Sequence, residues 1–127
     1  MIVDDPAVTA EVREAFLRYE AALMANDLET LDRLFWPDER TIRIGPGQNL
    51  YGIEAIRAFR QGRVGGSPQR TLSNTRIVGF GRDFAVAHTE FQREGESRPG
   101  RQTQTWARFP DGWRVVAAHV SLMESGD

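Results

Sequence analysis

The stretch that decides the fold is RQTQTWARFPDGWRVVAAHVSL, residues 101–122. Two runs rich in Thr, Val, Trp and Phe flank Pro110-Asp111-Gly112. In this tripeptide the proline presets φ, the aspartate tolerates a turn and the glycine accepts a left-handed backbone. The pattern therefore predicts a β-hairpin, and a three-residue loop would pair Phe109 with Trp113.

The second strand of this hairpin is nearly apolar on both faces. Counting by twos from the turn puts alternate residues on opposite faces. One face carries Trp113, Val115, Ala117, His119 and Ser121. The other carries Arg114, Val116, Ala118, Val120 and Leu122. A strand with two apolar faces is buried on both sides. We predict a central strand, with helices on one face and a second subunit or a pocket on the other.

Length and composition limit the classes of protein. With 127 residues and 40% hydrophobic content, the chain is expected to form one domain over residues 1–127. A net charge of -2 with intermixed signs gives no basic field, so no nucleic-acid partner is expected. The absence of cysteine from the sequence excludes disulfides, thiolate metal sites and a cysteine nucleophile.

The start of the sequence, MIVDDPAV, is acidic and lacks the apolar segment of a signal peptide. No apolar run approaches the length needed to span a membrane. We therefore expect a cytoplasmic protein without a membrane partner.

Helical patterns occupy the first half of the sequence. Apolar residues recur every three or four positions over residues 6–25, behind Asp5 as a cap. Asn26-Asp27 then precede LETLDRLFW, a short helix expected to end before Pro37. Residues 41–45, TIRIG, read as a short strand, and residues 49–63 as a strand end, a turn and a third helix.

From Arg70 onward the period changes to that of extended segments, four in all, joined by turns rich in glycine and polar residues. Helices come first and strands follow. This order predicts an α+β fold in which three N-terminal helices pack on a curved antiparallel sheet.

These elements together resemble a known superfamily. Two helices, a strand, a third helix and a long sheet ending in GWRVVAAHVS are similar to the cone-shaped NTF2-like, or SnoaL-like, fold. Three longer strings resemble the AtzH-like family, whose small members are encoded beside amidohydrolases of cyanuric acid and oxalurate breakdown. They are FLRYEAALMANDLETLDRLFW (16–36), TIRIGPGQNLYGIEAIRAFRQGR (41–63) and RQTQTWARFPDGWRVVAAHVS (101–121).

The resemblance implies a cytoplasmic homodimer with a pocket in each cone and no metal or organic cofactor. It also implies a decarboxylating amidohydrolase acting on 1,3-dicarboxyurea, with catalytic positions that match Tyr19 and Arg43 here. The segment GPGQNLYG departs from the family pattern, because many relatives are expected to carry an acidic residue in place of Gln48. That departure concerns the rim of the pocket.

Read from the residues alone, Arg43 and Tyr19 each allow two interpretations. Arg43 lies between two isoleucines in TIRIG, so its side chain points to the opposite sheet face. There it is either a planar five-donor fork for a carboxylate or a solvated residue of an edge strand. Tyr19 on an amphipathic helix is either a core aromatic or a proton donor.

Four further residues are candidates for substrate binding, each with a plainer alternative. His119 is a pocket residue or a hydrogen-bonded core residue, and Ser121 shares its parity. Arg70 adds positive charge at the pocket mouth or lies at a loop edge. Trp36 walls the cavity or fills a gap between helices.

Other polar residues carry weaker signals. His88 is the second histidine in the sequence, and two isolated histidines without clustered carboxylates make a metal site improbable. Arg57, Arg60 and Arg63 form a basic stripe on one helix, which is typical of solvated surface.

Two classes of function stay open. In the first, the pocket is a cofactor-independent enzyme site that takes a small anionic carboxylated urea. In the second, the domain is a non-catalytic small-molecule-binding or accessory protein that contacts a neighbouring amidohydrolase, since one fold hosts both classes.

Overall fold

A computed structural model describes residues 1–124 of the chain. Its helices are α1 (Pro6–Ala25), α2 (Leu28–Leu34) and α3 (Ile53–Gly62). Its strands are β1 (Ile42–Ile44), β2 (Asn49–Tyr51), β3 (Arg70–Phe80), β4 (Phe84–Arg93), β5 (Gly100–Phe109) and β6 (Gly112–Leu122). They form one sheet in the order β2-β1-β6-β5-β4-β3. The hairpin of β5 and β6 is thus at the centre of an α+β fold, as the sequence predicts.

One feature of the layout differs from the expectation. Strand β1 pairs with β6 in parallel, whereas the other neighbouring strands are antiparallel. The sheet is therefore mixed. Helix α3 begins after β1 and β2, in agreement with the predicted order of two helices, a strand and a third helix.

The predicted hairpin exists, but its register is different. Phe109 pairs with Gly112 and Arg108 with Trp113, so the loop has two residues, not three. Gly112 has a φ of 125°, which side-chain-bearing residues rarely adopt.

A bulge at Val116 then reverses the side-chain alternation of β6. Trp106 pairs with Val115 while Thr105 pairs with Ala117, so Val116 is an extra residue in its strand. Trp113 and Val115 are buried before the bulge, and Ala118 and Val120 are buried after it. Counting by twos along β6 predicts His119 on the face of Trp113. That prediction is wrong because it does not allow for the extra residue at the bulge. His119 and Ser121 instead lie on the outer face.

The helices cover the other face of the sheet, which we call the inner face. Asp5 caps α1 by accepting a hydrogen bond from the Ala7 amide at 2.9 Å, and Asn26 ends the helix in the left-handed conformation. The buried side of α1 packs with α2, α3 and the inner face in one core cluster. Within residues 1–124, no helix is long and apolar enough to cross a membrane.

An ion pair joins α1 to the first residue of β3. Glu20 accepts hydrogen bonds from Arg70 Nε at 3.0 Å and Nη2 at 2.6 Å. The two side chains are only 13% and 2% exposed, so solvent screens the pair weakly. Arg70 Nη2 also donates to Gln102 Oε1 at 3.0 Å, which extends the connection to β5.

Glu20→Gln should lower the free energy of unfolding by about 3 kcal/mol, because it leaves the buried Arg70 charge without its counter-ion. Urea unfolding followed by circular dichroism measures this loss. Glu29→Gln is the matched control, since Glu29 and Arg33 lie 3.8 Å apart with side chains 82% and 64% exposed. Equal stability losses in the two variants would contradict the role given to the buried pair.

The outer face of the sheet carries short uncharged side chains around its centre. Strands β1, β5 and β6 contribute Ile42, Ile44, Thr103, Thr105, Ala117 and His119. Ile42 is 37% exposed. We propose that a second copy of the chain covers this face, since an uncharged patch of this kind is complementary to itself across a two-fold axis.

Sedimentation at micromolar concentration should then show a dimer. Ile42→Glu should shift it to monomer, because two like charges would meet near the axis. Leu17→Glu is the control, since Leu17 is 55% exposed on α1, away from this face. A wild-type monomer, or an Ile42→Glu dimer, would contradict the proposal.

Candidate functional site

The candidate site lies between the helices and the inner face of the sheet, and Arg43 is its first component. Arg43 pairs with Leu50 on β2 and with Ala118 on β6. The flanking isoleucines lie beside Ala117 and His119 and take the outer face, so Arg43 points inward. Its guanidinium carbon lies 5.2 Å from the centre of the Phe59 ring on α3.

Arg43 is not neutralised by its surroundings. Its Nη1 atom is buried and has no hydrogen-bond partner within residues 1–124. Burial lowers the pKa of Arg43, an effect that Tyr19 opposes and that the charges of Arg60 and Arg70 reinforce. Gly45 allows this packing, since a Cβ there would overlap both Arg43 and the neutral side chain of Gln48.

Four other arginines lie near Arg43, and each of the five packs against an aromatic ring. Arg43 and Arg63 both lie against Phe59, with Arg63 5.1 Å from the ring centre. We call this pair the Phe59 end of the site. Arg70 and Arg93 lie against Phe91, at 4.6 Å and 5.3 Å, and form the Phe91 end. The fifth, Arg60, lies 4.2 Å from the centre of Phe35.

Only two of the five have a carboxylate partner among the described residues. Glu20 binds Arg70, and Asp32 accepts a hydrogen bond from Arg60 Nη1 at 3.2 Å. The Nε atoms of Arg63 and Arg93 are buried and have no hydrogen-bond partner in that part of the chain. Burial lowers the pKa of both Arg63 and Arg93, and neighbouring arginines lower it further. Tyr19 opposes this effect at Arg63, and Glu96 opposes it at Arg93.

Two buried glutamines on β5 add hydrogen-bond donors. Gln102 Oε1 accepts from Arg70, and Gln104 Oε1 accepts from Trp106 Nε1 at 3.1 Å. Guanidinium and indole N–H groups only donate, so each glutamine must turn its oxygen toward them. Both Nε2 amides are then buried donors without an acceptor within residues 1–124. Ala118 lies between Arg43 and Gln104 in the sheet.

Tyr19 is the phenol donor of this interior. It lies on α1, is 5% exposed and packs against Phe35 with ring centres 6.0 Å apart. Its oxygen is close enough to Arg43, Arg60 and Arg63 to interact with all three charges. Within residues 1–124 the hydroxyl forms no hydrogen bond, so it is available to a ligand.

The structure brings together three of the six predicted site residues, Tyr19, Arg43 and Arg70. Trp36 lies elsewhere, because it stacks on Phe109 at 5.7 Å and under Arg40 at 4.8 Å. The interior position next to it in sequence belongs to Phe35.

His119 and Ser121 do not join this interior either. His119 is exposed on the outer face, and Ser121 accepts a hydrogen bond there from Arg101 Nε at 3.3 Å. His88 lies on the same outer face, with its Nδ1 3.0 Å from the Thr103 hydroxyl. The geometry therefore gives these residues no contact with Arg43.

Sequence reasoning missed most of the donors. The stripe of Arg57, Arg60 and Arg63 is predicted to be solvated surface, but Arg60 is 5% exposed and the Nε atom of Arg63 is buried, whereas the Arg57 side chain is 39% exposed. The prediction is wrong for Arg60 because its side chain packs against Phe35 and Asp32. Arg93, Gln102 and Gln104 are not among the site residues that the sequence predicts. The alternation of two glutamines with Trp106 on a central strand was the available signal.

This interior presents donors and positive charge, with its two carboxylates already engaged. Such a lining suits a ligand that only accepts hydrogen bonds, and carboxylates and similar anions have this property. Among residues 1–124, no group of three His, Cys, Asp or Glu side chains could hold a metal ion. The expectation that the protein works without a metal stays a prediction.

Comparison with known proteins places the chain in a family. The AtzH-like family model matches residues 1–126, whereas no curated protein matches. A crystal structure of a protein of unknown function from Pectobacterium atrosepticum is 56% identical, with a TM-score of 0.93 over 96% of this chain and 95% of the other.

A cystatin-like fold protein from Burkholderia xenovorans is 47% identical over 97% of each chain, with a TM-score of 0.93. An NTF2-like superfamily protein from Salmonella enterica is 27% identical over 95% of each chain, with a TM-score of 0.76. The family match spans nearly the whole sequence, and the fold agrees with these neighbours. The chain belongs to the AtzH-like family.

Proposed function

We propose that this protein is a cofactor-independent, decarboxylating amidohydrolase that acts on a small carboxylated urea such as 1,3-dicarboxyurea. The observation that carries the proposal is the buried, unpartnered Nη1 atom of Arg43, together with the hydroxyl of Tyr19, which interacts electrostatically with Arg43 and forms no hydrogen bond within residues 1–124. Arg43 would bind the carboxylate of the substrate, and Tyr19 would supply a proton.

Arg43 suits the binding step for two physical reasons. A guanidinium presents N–H donors in a planar fork that matches the two oxygens of a carboxylate. The Nη1 atom of Arg43 is also buried, so a charge-assisted pair at that atom is stronger than in solution. The substrate carboxylate would replace the counter-ion that the described residues do not supply.

Tyr19 suits the chemical step. When a carboxylated urea loses carbon dioxide, the bond between nitrogen and the carboxyl carbon breaks and its electron pair stays on nitrogen. That nitrogen takes the phenol proton, so a dianion plus one proton gives the decarboxylated urea anion and carbon dioxide. The charge left on the phenol oxygen lies beside Arg43, Arg60 and Arg63, which stabilise it until water returns the proton.

Turnover by the purified protein tests the proposal. The substrates are 1,3-dicarboxyurea, 1-carboxybiuret, allophanate and oxalurate, with release of carbon dioxide and ammonia followed separately. We expect carbon dioxide from 1,3-dicarboxyurea at a rate well above that of a blank without protein. No turnover of any of the four would contradict the enzyme and favour a binding or accessory role.

Substitutions at the two catalytic positions should have different kinetic effects. Arg43→Lys keeps the charge but loses the fork, so KM should rise more than kcat falls. Tyr19→Phe keeps the packed ring but loses the proton, so kcat should fall by about 10²-fold or more. Steady-state kinetics on folded variants separate these effects.

His119→Asn is the matched control, because His119 lies on the outer face. It should keep wild-type turnover. If Tyr19→Phe is fully active while His119→Asn is inactive, the proton donor is misassigned. If neither Arg43→Lys nor Tyr19→Phe changes the rate, the reaction takes place elsewhere.

Chelation tests the absence of a metal requirement. Activity should survive exhaustive dialysis against EDTA, since the proposed roles belong to arginine and tyrosine alone. Elemental analysis of the purified protein should find no stoichiometric metal. A loss of activity that added metal restores would contradict the cofactor-free reaction.

A further inference from the structure

The interior holds more positive charge than one carboxylate can neutralise. Glu20 and Asp32 pair with two of the five arginines, whereas Arg43, Arg63 and Arg93 have no ion-pair partner within residues 1–124. Glu96 forms an ion pair with Arg98 and acts on Arg93 only through a longer-range attraction. These three side chains are partly buried, and each has one buried guanidinium nitrogen without a partner in that part of the chain. Leaving such donors unpaired is unfavourable, so the surplus points to a ligand that brings negative charge of its own. A single carboxylate at Arg43 would leave most of the surplus in place.

The surplus is divided between two ends. Arg43 and Arg63 share the ring of Phe59, whereas Arg93 shares the ring of Phe91 with the neutralised Arg70. The ends are near enough for Arg43 and Arg63 to interact with Arg93. Tyr19 interacts with both arginines of the Phe59 end, so the reacting group belongs at that end.

Strand β5 supplies donors between the ends. Gln102 is 1% exposed and bonded to Arg70 of the Phe91 end, while Gln104 is separated from Arg43 only by Ala118. Each has a buried amide N–H without an acceptor in the described part of the chain. A ligand with an acceptor at its middle, such as a urea carbonyl, could use these donors while its two ends meet arginines.

We infer that the site is a two-ended receptor for dianions, in which Arg93 binds the second carboxylate and makes the protein select dicarboxylates over monocarboxylates. This inference rests on the proposed function for the position of the reacting carboxylate, and it adds a residue that determines specificity. Arg93 lies on Phe91, and the Phe91 ring packs so closely over Gly100 that a Cβ there would overlap it. That contact holds the Phe91 ring in place beside Arg93.

The arrangement has a consequence for product release. Loss of carbon dioxide at the Phe59 end turns the dianion into a monoanion, which keeps its contact with Arg93 but leaves the Phe59 end empty. The product should therefore bind more weakly than the substrate, and this difference favours its departure.

Calorimetric binding tests the receptor without any turnover. Glutarate has the same number of chain atoms between its carboxylates as 1,3-dicarboxyurea, and 3-oxoglutarate adds the central carbonyl. Glutaramate has the length of glutarate but one charge fewer. At constant ionic strength the wild-type protein should bind glutarate at least tenfold more tightly than glutaramate, and 3-oxoglutarate more tightly still. Equal affinities, or no binding of glutarate, would overturn the inference.

Variants assign the preference to Arg93. Arg93→Gln should bring the affinity for glutarate down to that for glutaramate and leave the latter within about twofold, whereas Arg93→Lys should keep part of the preference. Arg13→Gln makes the same change of charge at an exposed position of α1 and should keep the full preference. If Arg93→Gln keeps the full preference for glutarate over glutaramate, Arg93 does not bind the second carboxylate.

The two proposals can fail separately. If the protein prefers glutarate but turns over none of the carboxylated ureas, the receptor proposal stands and the enzyme proposal is contradicted. If the protein turns over 1,3-dicarboxyurea but binds glutarate and glutaramate equally, the enzyme proposal stands and the second carboxylate site is contradicted. In the active enzyme, Arg93→Gln should raise KM with little change in kcat, which a general loss of stability would not produce.

Discussion

Arginine side chains that lie wholly or partly buried under the helices impose the main energetic constraint on this structure. Removing a guanidinium from water is unfavourable unless other groups replace the solvent. Glu20 and Asp32 do this for Arg70 and Arg60, and aromatic ring faces do it in part for the others. What remains uncompensated is a set of charged donors already held in place. A site prepared in this way loses little free energy to reorganisation when an anion enters.

The sheet sets the positions of these charges. Parallel pairing of β1 with β6 puts Arg43 beside Ala118, with the Arg43 side chain directed to the inner face. The bulge at Val116 brings Ala118 and Val120 to that face and moves His119 to the other. One extra residue in β6 thus decides which side chains reach the site and which face outward.

Part of this could be read from the sequence. The hairpin, the central position of β6, the bounds of α1 and the placement of Arg43 on the face opposite Ile42 and Ile44 follow from short-range patterns: turn chemistry, alternation and helical period. That the face of Arg43 is the inner one depends on the packing of the helices, which these patterns do not give. The positions of His119 and Ser121 could not, because a bulge leaves no mark in an apolar strand. Arg60 and Arg63 look like surface residues in a helical stripe, and only the packing of α3 on the sheet shows that they face inward. Arg93 comes to Arg70 through the register of two strands, which no local pattern gives.

We propose that a ligand carboxylate takes the place of the counter-ion missing at Arg43. A crystal structure of the protein grown with 3-oxoglutarate tests this through the distance from Arg43 Nη1 to the nearest ligand oxygen. We expect a charge-assisted hydrogen bond of about 2.7–2.9 Å at that atom, with the ligand lying between the helices and the inner face. Ligand bound elsewhere, with Arg43 Nη1 paired to a carboxylate of the protein, would contradict it.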